Sequence, residues 1–314
     1  METATIILPF VGAGLVGALF SRFTGMNLSM CMLCIFLYMG ATPEQTLAVL
    51  LMFNAFTYFT TYSQTHPVQF STFTFFKGAK FIIPIVITFA LAMVQPFFGI
   101  VFFVIVFLAE IFAKMYKATD RAVRPAKKEL AKMAVIASVL GLLGTAGVML
   151  IPERFYFIAA GVVIIGFVVF IRAAADRKRW QRSWDRILYF TALIMGVTGI
   201  DASDWLGAVK RKDVSPLARM YPLVINIAII AALIGSYVWY RYFSLAALFA
   251  TIGASLGIRF FGVYRHGERG TFSYITLAIT FVAVLVFMII QPQPTGLPEF
   301  PEAHTSPVWK LLNF

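Results

Sequence analysis

The chain has 314 residues, 60% of them hydrophobic and 13% charged. A soluble domain carries about 25% charged residues, which excludes a water-soluble enzyme and points to an all-α polytopic membrane protein. The net charge of +12 is read as Lys and Arg marking cytoplasmic loops, and nucleic acid is not an expected partner.

Apolar runs long enough to cross about 30 Å of hydrocarbon recur from end to end. The first, 4–39, lacks the basic region and cleavage site of a signal peptide, so 4–23 is expected to be retained. It is interrupted at Thr24–Ser29. Spans are predicted at 44–63, 80–95 and 96–115. Loop 116–132 carries Lys117, Arg121, Arg124, Lys127, Lys128 and Lys132. Spans 133–151 and 155–172 form a hairpin around Pro152-Glu153. Loop 172–186 carries Arg172, Arg177, Lys178, Arg179, Arg182 and Arg186. Segment 187–209 is apolar but interrupted at Thr198–Ser203, and it ends at Lys210-Arg211-Lys212. Spans at 216–238, 241–262 and 272–291 follow. The tail 292–314 holds five prolines and is expected to be irregular.

The two interruptions repeat each other. Thr24-Gly25-Met26-Asn27-Leu28-Ser29 recurs as Thr198-Gly199-Ile200-Asp201-Ala202-Ser203. Thr42-Pro43 is matched by Ser215-Pro216, and Asn54 by Asn226. In lipid, irregular backbone survives only inside protein or beside a water-filled cavity. A pair of breaks at corresponding places of two halves marks a transporter binding site. Four regions result: a first repeat (1–115), basic loops with a central hairpin (116–186), a second repeat (187–291) and the tail (292–314).

With both basic loops cytoplasmic, each break becomes the tip of a re-entrant or broken-helix hairpin followed by three spans. The first hairpin enters from outside and the second from inside, which makes an inverted repeat. Both termini are then external. Of the 26 Lys and Arg residues, all but Arg22, Arg154, Arg241 and Lys310 are cytoplasmic.

Several stretches carry a family resemblance: Thr24-Gly25 with Gly40-Ala41-Thr42-Pro43, Gly196-Val197-Thr198-Gly199, and Gly235-Ser236-Tyr237-Val238-Trp239-Tyr240-Arg241 followed by Gly253 and Gly257. Over about 1–115 and 187–265 the chain resembles the sulfite exporter TauE/SafE family. The usual triple glycine of that family is absent. Met26, Asn27 and Leu28 hold its places in one half, and Ile200, Asp201 and Ala202 in the other, which marks a divergent member. The resemblance implies transport, commonly export, of a small sulfur-containing or organic anion across a prokaryotic plasma (inner) membrane.

Arg22 is the costliest residue, because an intramembrane Arg costs at least about 2.5–3.5 kcal/mol. Its planar guanidinium forks onto sulfonate or carboxylate oxygens, or else serves a structural ion pair. Asp201 could carry a coupling proton, pair with Arg22, or cap a helix. Thr24, Ser29, Thr198 and Ser203 can cap helix ends and donate to a bound anion. Gly25 and Gly199 permit tight turns. Asn27, Asn54 and Asn226 complete the candidate substrate site, with interhelical hydrogen bonding as the rival role. Gly12, Gly14, Gly17, Gly253 and Gly257 are expected to allow close helix approach. Glu110 and Lys114, four apart, are expected to form a local ion pair.

No catalytic cluster, cofactor site or metal site is expected. Cys31 and Cys34 lack the partners that zinc or redox chemistry needs, and His66 and His266 lack metal-ligand company. The expected partners are a small anion, the lipid bilayer, a coupling proton or sodium ion and, as an option left open, a second copy in a homodimer. The reading is a secondary transporter working by alternating access, not an enzyme. Its rivals are a channel with re-entrant hairpins and an intramembrane lipid-modifying enzyme. Paired Asn-Pro-Ala tips and clustered surface carboxylates, which those would show, are absent.

The orientation is open to test. Lys127 or Lys178 is replaced by Cys, one at a time, with Cys31 and Cys34 changed to Ser, and intact cells meet a membrane-impermeant thiol reagent. Neither position should label before lysis. Labelling of either one in sealed cells contradicts the topology.

Overall fold

The computed structural model describes residues 2–65, 82–118, 125–148, 150–152, 155–156, 158–163, 166, 183–203, 206, 220–243, 246–262, 275, 279, 282, 286 and 296–297. Among them the chain is all-helical, with no strand. In order come α1 (Glu2–Thr24), α2 (Leu28–Tyr38), α3 (Pro43–Thr65), α4 (Ile82–Val94) and α5 (Pro96–Ala118). Then follow α6 (Lys127–Val148), α7 (Trp184–Thr198), α8 (Tyr221–Tyr240) and α9 (Ala246–Phe261). Among the described residues three helical stretches are long and apolar enough to cross a membrane: Ile7–Thr24, Lys127–Val148 and Tyr221–Tyr240.

These elements match the expected segments closely. The first apolar segment divides into α1 and α2, and α6 covers most of the expected span 133–151. Expected spans 155–172 and 272–291 lie largely outside the described residues, as do 204–205 and 207–209 of the second broken segment and much of both basic loops. The Lys114 side chain of the expected Glu110 pair lies outside them too. Span 241–262 begins later than expected, because Arg241 takes a left-handed conformation (φ 55°) that ends α8.

Local signals explain where helices stop and start. Gly40 (φ 85°) closes α2 with bonds from Gly40 N to Leu37 O and from Ala41 N to Phe36 O, the paired pattern of a glycine C-cap. Thr42-Pro43-Glu44-Gln45 then opens α3 as a capping box. Gln45 N donates to Thr42 Oγ1 at 3.3 Å, and Thr42 N donates to Gln45 Oε1 at 3.2 Å. Pro43 sits at the first helical position, where its missing N–H costs nothing.

Small residues hold the helices together. A side chain at Gly14 would run into the carbonyl of Ala250, and one at Gly253 into the carbonyl of Val11. A Cβ at Gly257 would lie 2.6 Å from Ala18 Cβ, so α1 and α9 run parallel with touching backbones. Gly196 and Gly141 bring α7 against α6 in the same way, with Gly144 beside Gly196. Gly17 meets Met32 of α2. Gly12 differs from expectation: nothing lies within 4 Å of its would-be Cβ, so it makes no close approach. It occupies an open face of α1, one residue off the contact stripe of Val11, Gly14, Leu15 and Ala18.

Helix α6 also packs along α8, so it covers both α7 and α8. Helix α9 covers α1 and α3. Helix α4 packs mainly on α5 and has no buried residue. Ile83, Phe89 and Met93 are among its exposed side chains.

The two ends of the bundle differ. At one end Lys127, Lys128 and Lys132 are exposed in the first turns of α6 and Arg186 in the first turn of α7. Lys127 lies over the Tyr116 ring near the end of α5, 5.9 Å from its centroid. At the other end Phe97 of α5 stacks on Tyr237 of α8 at 3.8 Å, and the Tyr240 hydroxyl donates to Thr145 O at 3.0 Å. The tail reaches the turn between α2 and α3, where Gly296 N donates to Gly40 O and Leu297 N to Gln45 Oε1, both at 2.8 Å.

Gly14→Ala is expected to lower stability by about 1–3 kcal/mol, because the new methyl must push two backbones apart. Gly12→Ala should leave stability unchanged or raise it by up to about 1 kcal/mol, through the better helix propensity of Ala. Thermal unfolding of the two purified variants measures both. Equal losses would mean that the α1–α9 contact is not tight.

Candidate functional site

Each helix break is built from its own residues first. At the first, Gly25 (φ 68°) turns the chain left-handed, and its N–H closes α1 onto Ser21 O at 2.9 Å. Thr24 Oγ1 donates to Phe20 O at 2.8 Å and accepts from Met26 N at 3.2 Å. Asn27 is the N-cap of α2, and its Oδ1 accepts from both N and Oγ of Ser29 at 2.9 Å. Ser21 Oγ donates to Met26 O at 2.7 Å, so the intervening backbone is held as well.

The second break repeats this plan. Gly199 (φ 72°) bonds back to Met195 O at 2.8 Å. Thr198 Oγ1 donates to Ile194 O at 2.9 Å and accepts from Ile200 N at 3.2 Å. Asp201 Oδ1 accepts from Ser203 N at 2.8 Å. Asp201 thus holds the capping bond that Asn27 holds in the first break. Thr and Asn or Asp do the same work twice because their side chains are short enough to bond nearby backbone, and Gly takes the left-handed turn in both breaks.

The two breaks meet. Asp201 N donates to Ser29 Oγ at 2.9 Å, across 172 residues of chain. Asn54 of α3 donates from Nδ2 to Gly199 O at 2.7 Å, and Gly199 packs against Leu47 and Leu50 of the same helix. The Tyr156 hydroxyl donates to Thr198 O at 3.0 Å. Two carbonyls that the end of α7 leaves without helical partners are therefore bonded by side chains from elsewhere. Asn54 lies eleven residues past Pro43 in the 23-residue α3. That is about 16 Å along it at 1.5 Å per residue, close to the helix midpoint.

Ser29, Asn54, Thr198, Gly199 and Asp201 thus converge on one buried point. Asn27 joins it through Ser29, and Ser203 through Asp201. Thr24 and Gly25 lie just before it in the first break, both buried. Arg22 is half-buried in the last turn of α1, two residues before Thr24. Asn226 is fully buried on α8, and neither its Oδ1 nor its Nδ2 has a hydrogen-bond partner among the described residues.

Tyr156 was not foreseen. It is a lone tyrosine after the Pro152-Glu153 turn, and nothing in its spacing connects it with a residue 42 positions away. Among the described residues no group of three His, Cys, Asp or Glu side chains gathers that could hold a metal ion. No family model, curated protein or solved structure matches the chain.

Gly199→Ala should be destabilising on two counts. The left-handed backbone costs a β-carbon roughly 1–2 kcal/mol, and the new methyl would sit 2.9 Å from Leu50 Cβ. Tyr156→Phe keeps the ring but leaves the buried Thr198 carbonyl without its donor, an expected cost of about 1–3 kcal/mol. Denaturation of each variant against the parent measures these losses, and a neutral Tyr156→Phe would mean that this bond does not hold α7.

Proposed function

We propose that the chain is a secondary transporter of a small anion in a prokaryotic plasma membrane, working by alternating access. One observation carries the reading: two helix breaks of similar local plan touch each other inside an apolar bundle, through Asp201 N and Ser29 Oγ. A broken helix in such surroundings is tolerated only inside protein or beside a water-filled cavity, and paired breaks are the feature of transporters built from repeats. The apolar exterior supports the membrane setting. Leu8, Phe23, Val135 and Val238 are exposed on helices whose length suits a bilayer. The basic ends of α6 and α7 would then face the cytoplasm.

The site would take an anion because the Arg22 guanidinium and the N-terminus of α2 belong to one short stretch of backbone, and the second break, which touches it, offers a capped amide of the same kind at Ser203. Asn27 and Asp201 already show what these amides attract, since each has an oxygen on one of them. A substrate oxyanion would take over such positions with Arg22 beside them. The likeness to sulfite exporters makes sulfite, a sulfonate or another sulfur oxyanion the first substrate class to test. Asp201 is the group through which a coupling proton would act.

The test is uptake into proteoliposomes. Saturable counterflow of sulfite, a sulfonate or a carboxylate is expected; flux that never saturates would indicate a pore. Arg22→Gln should weaken anion binding by roughly 10- to 150-fold, the equivalent of about 1.5–3 kcal/mol for a charged hydrogen bond. Arg22→Lys should also be impaired, because an ammonium cannot fork onto two oxygens. Asp201→Asn keeps a capping oxygen, so the fold should persist. Exchange down a substrate gradient should continue in it while pH-driven accumulation is lost. Unchanged pH dependence leaves Asp201 with capping alone.

A further inference from the structure

Asn54 and Asn226 are counterparts in the sequence repeat. Asn54 lies eleven residues after Pro43, and Asn226 ten after Pro216. Both are buried, Asn54 at the middle of α3 and Asn226 in the second turn of α8, and both follow a break of the same design. Yet their hydrogen bonding differs completely. Asn54 donates at 2.7 Å to the carbonyl of Gly199, the left-handed residue of the opposite half. Asn226 has no partner for its amide nitrogen or its oxygen among the described residues.

An unsatisfied buried carboxamide calls for an explanation. A lone serine or threonine in a helix can turn its hydroxyl to the carbonyl four residues back, as Thr57 does to Phe53 and Thr251 to Ala247. An asparagine has two donor hydrogens and an acceptor, and its partners normally come from outside its own helix. Apolar residues surround Asn226 along α8, with Ile225, Ile229, Ile230 and Leu233 all buried. Nothing local rewards an amide there, and a leucine would pack at similar volume.

We propose that Asn54 and Asn226 form an exchanging pair, each bonded in only one of two conformations. In the conformation seen here Asn54 holds the second break at Gly199. In the opposite-facing conformation Asn226 donates to the matching left-handed residue of the first break, Gly25, and Asn54 lets go. The two breaks share one backbone plan, so the two acceptors are alike and the exchange is close to balanced in energy. Such balance is needed of a protein that must visit both states, since a ligand can shift an equilibrium only by its differential affinity for them. This inference rests on the alternating-access reading and adds how the resting state is held.

The test compares Asn54→Leu with Asn226→Leu in the full-length purified protein. Three measurements are made: thermal unfolding, amide hydrogen exchange over 194–203, and counterflow. Asn54→Leu removes the bond present here, so it should unfold earlier and exchange faster across Thr198–Ser203. Asn226→Leu removes an unsatisfied group and the competing state together, so it should unfold at the same temperature or later and exchange no faster. Both should lose counterflow, one by loosening the observed state and the other by being locked in it. If Asn226→Leu unfolds several degrees early or fails to fold, Asn226 has a structural partner in this state and the exchange is wrong. Retained counterflow in Asn226→Leu overturns it as well. If the unmodified protein shows no counterflow of any anion, the transport reading falls. Opposite stability shifts in the two variants would still establish the unequal bonding of the pair, and equal shifts would refute it.

Discussion

Each interruption of an apolar helix leaves amides and carbonyls that no water can satisfy, and the organisation of this protein follows from that constraint. The chain meets it in two stages. Within each break, a threonine hydroxyl, a left-handed glycine and an Asn or Asp oxygen satisfy the nearest groups. The groups that remain are met across the molecule. Ser29 receives the amide of Asp201, and Asn54 and Tyr156 supply donors to Gly199 and Thr198. Because the remaining bonds are long-range, the breaks must come together for either to be stable.

That meeting places demands on the helices around it. Two broken helices can touch only if their neighbours approach closely, and here they approach at glycine and alanine. Without water-driven association in lipid, packing at such small residues is the main attraction between helices. The covering helices come from unexpected parts of the chain. Helix α6 packs against both α7 and α8, so the segment that follows the first basic loop is part of the bundle. The tail contributes Gly296 and Leu297 to the turn that joins α2 to α3. Gln45 Oε1 accepts from both Thr42 and Leu297 there, which ties a local helix cap to a residue 252 positions away.

Much of this was legible in the residues. The breaks at Thr24–Ser29 and Thr198–Ser203 were placed correctly because their causes are local: glycine permits the left-handed turn and short polar side chains bond adjacent backbone. The capping box Thr42–Gln45 is readable by the same logic. Gly14, Gly17, Gly253 and Gly257 announced close contacts, while Gly12 is indistinguishable from them by composition and faces open space.

The sequence by itself determined the helical class, the apolar segments, the position and chemistry of both breaks and the uneven spread of charge. Each of these depends on residues within a few positions of one another. Only the tertiary structure decided that Ser29 is the oxygen that meets Asp201, that Tyr156 serves the end of α7, that α6 covers the second half, and that Asn54 is bonded where Asn226 is not. The physical reason is that a side chain's type states what bond it can make, while its partner is chosen by how whole helices pack. Two asparagines in equivalent local surroundings are therefore alike in the chain and different in the fold.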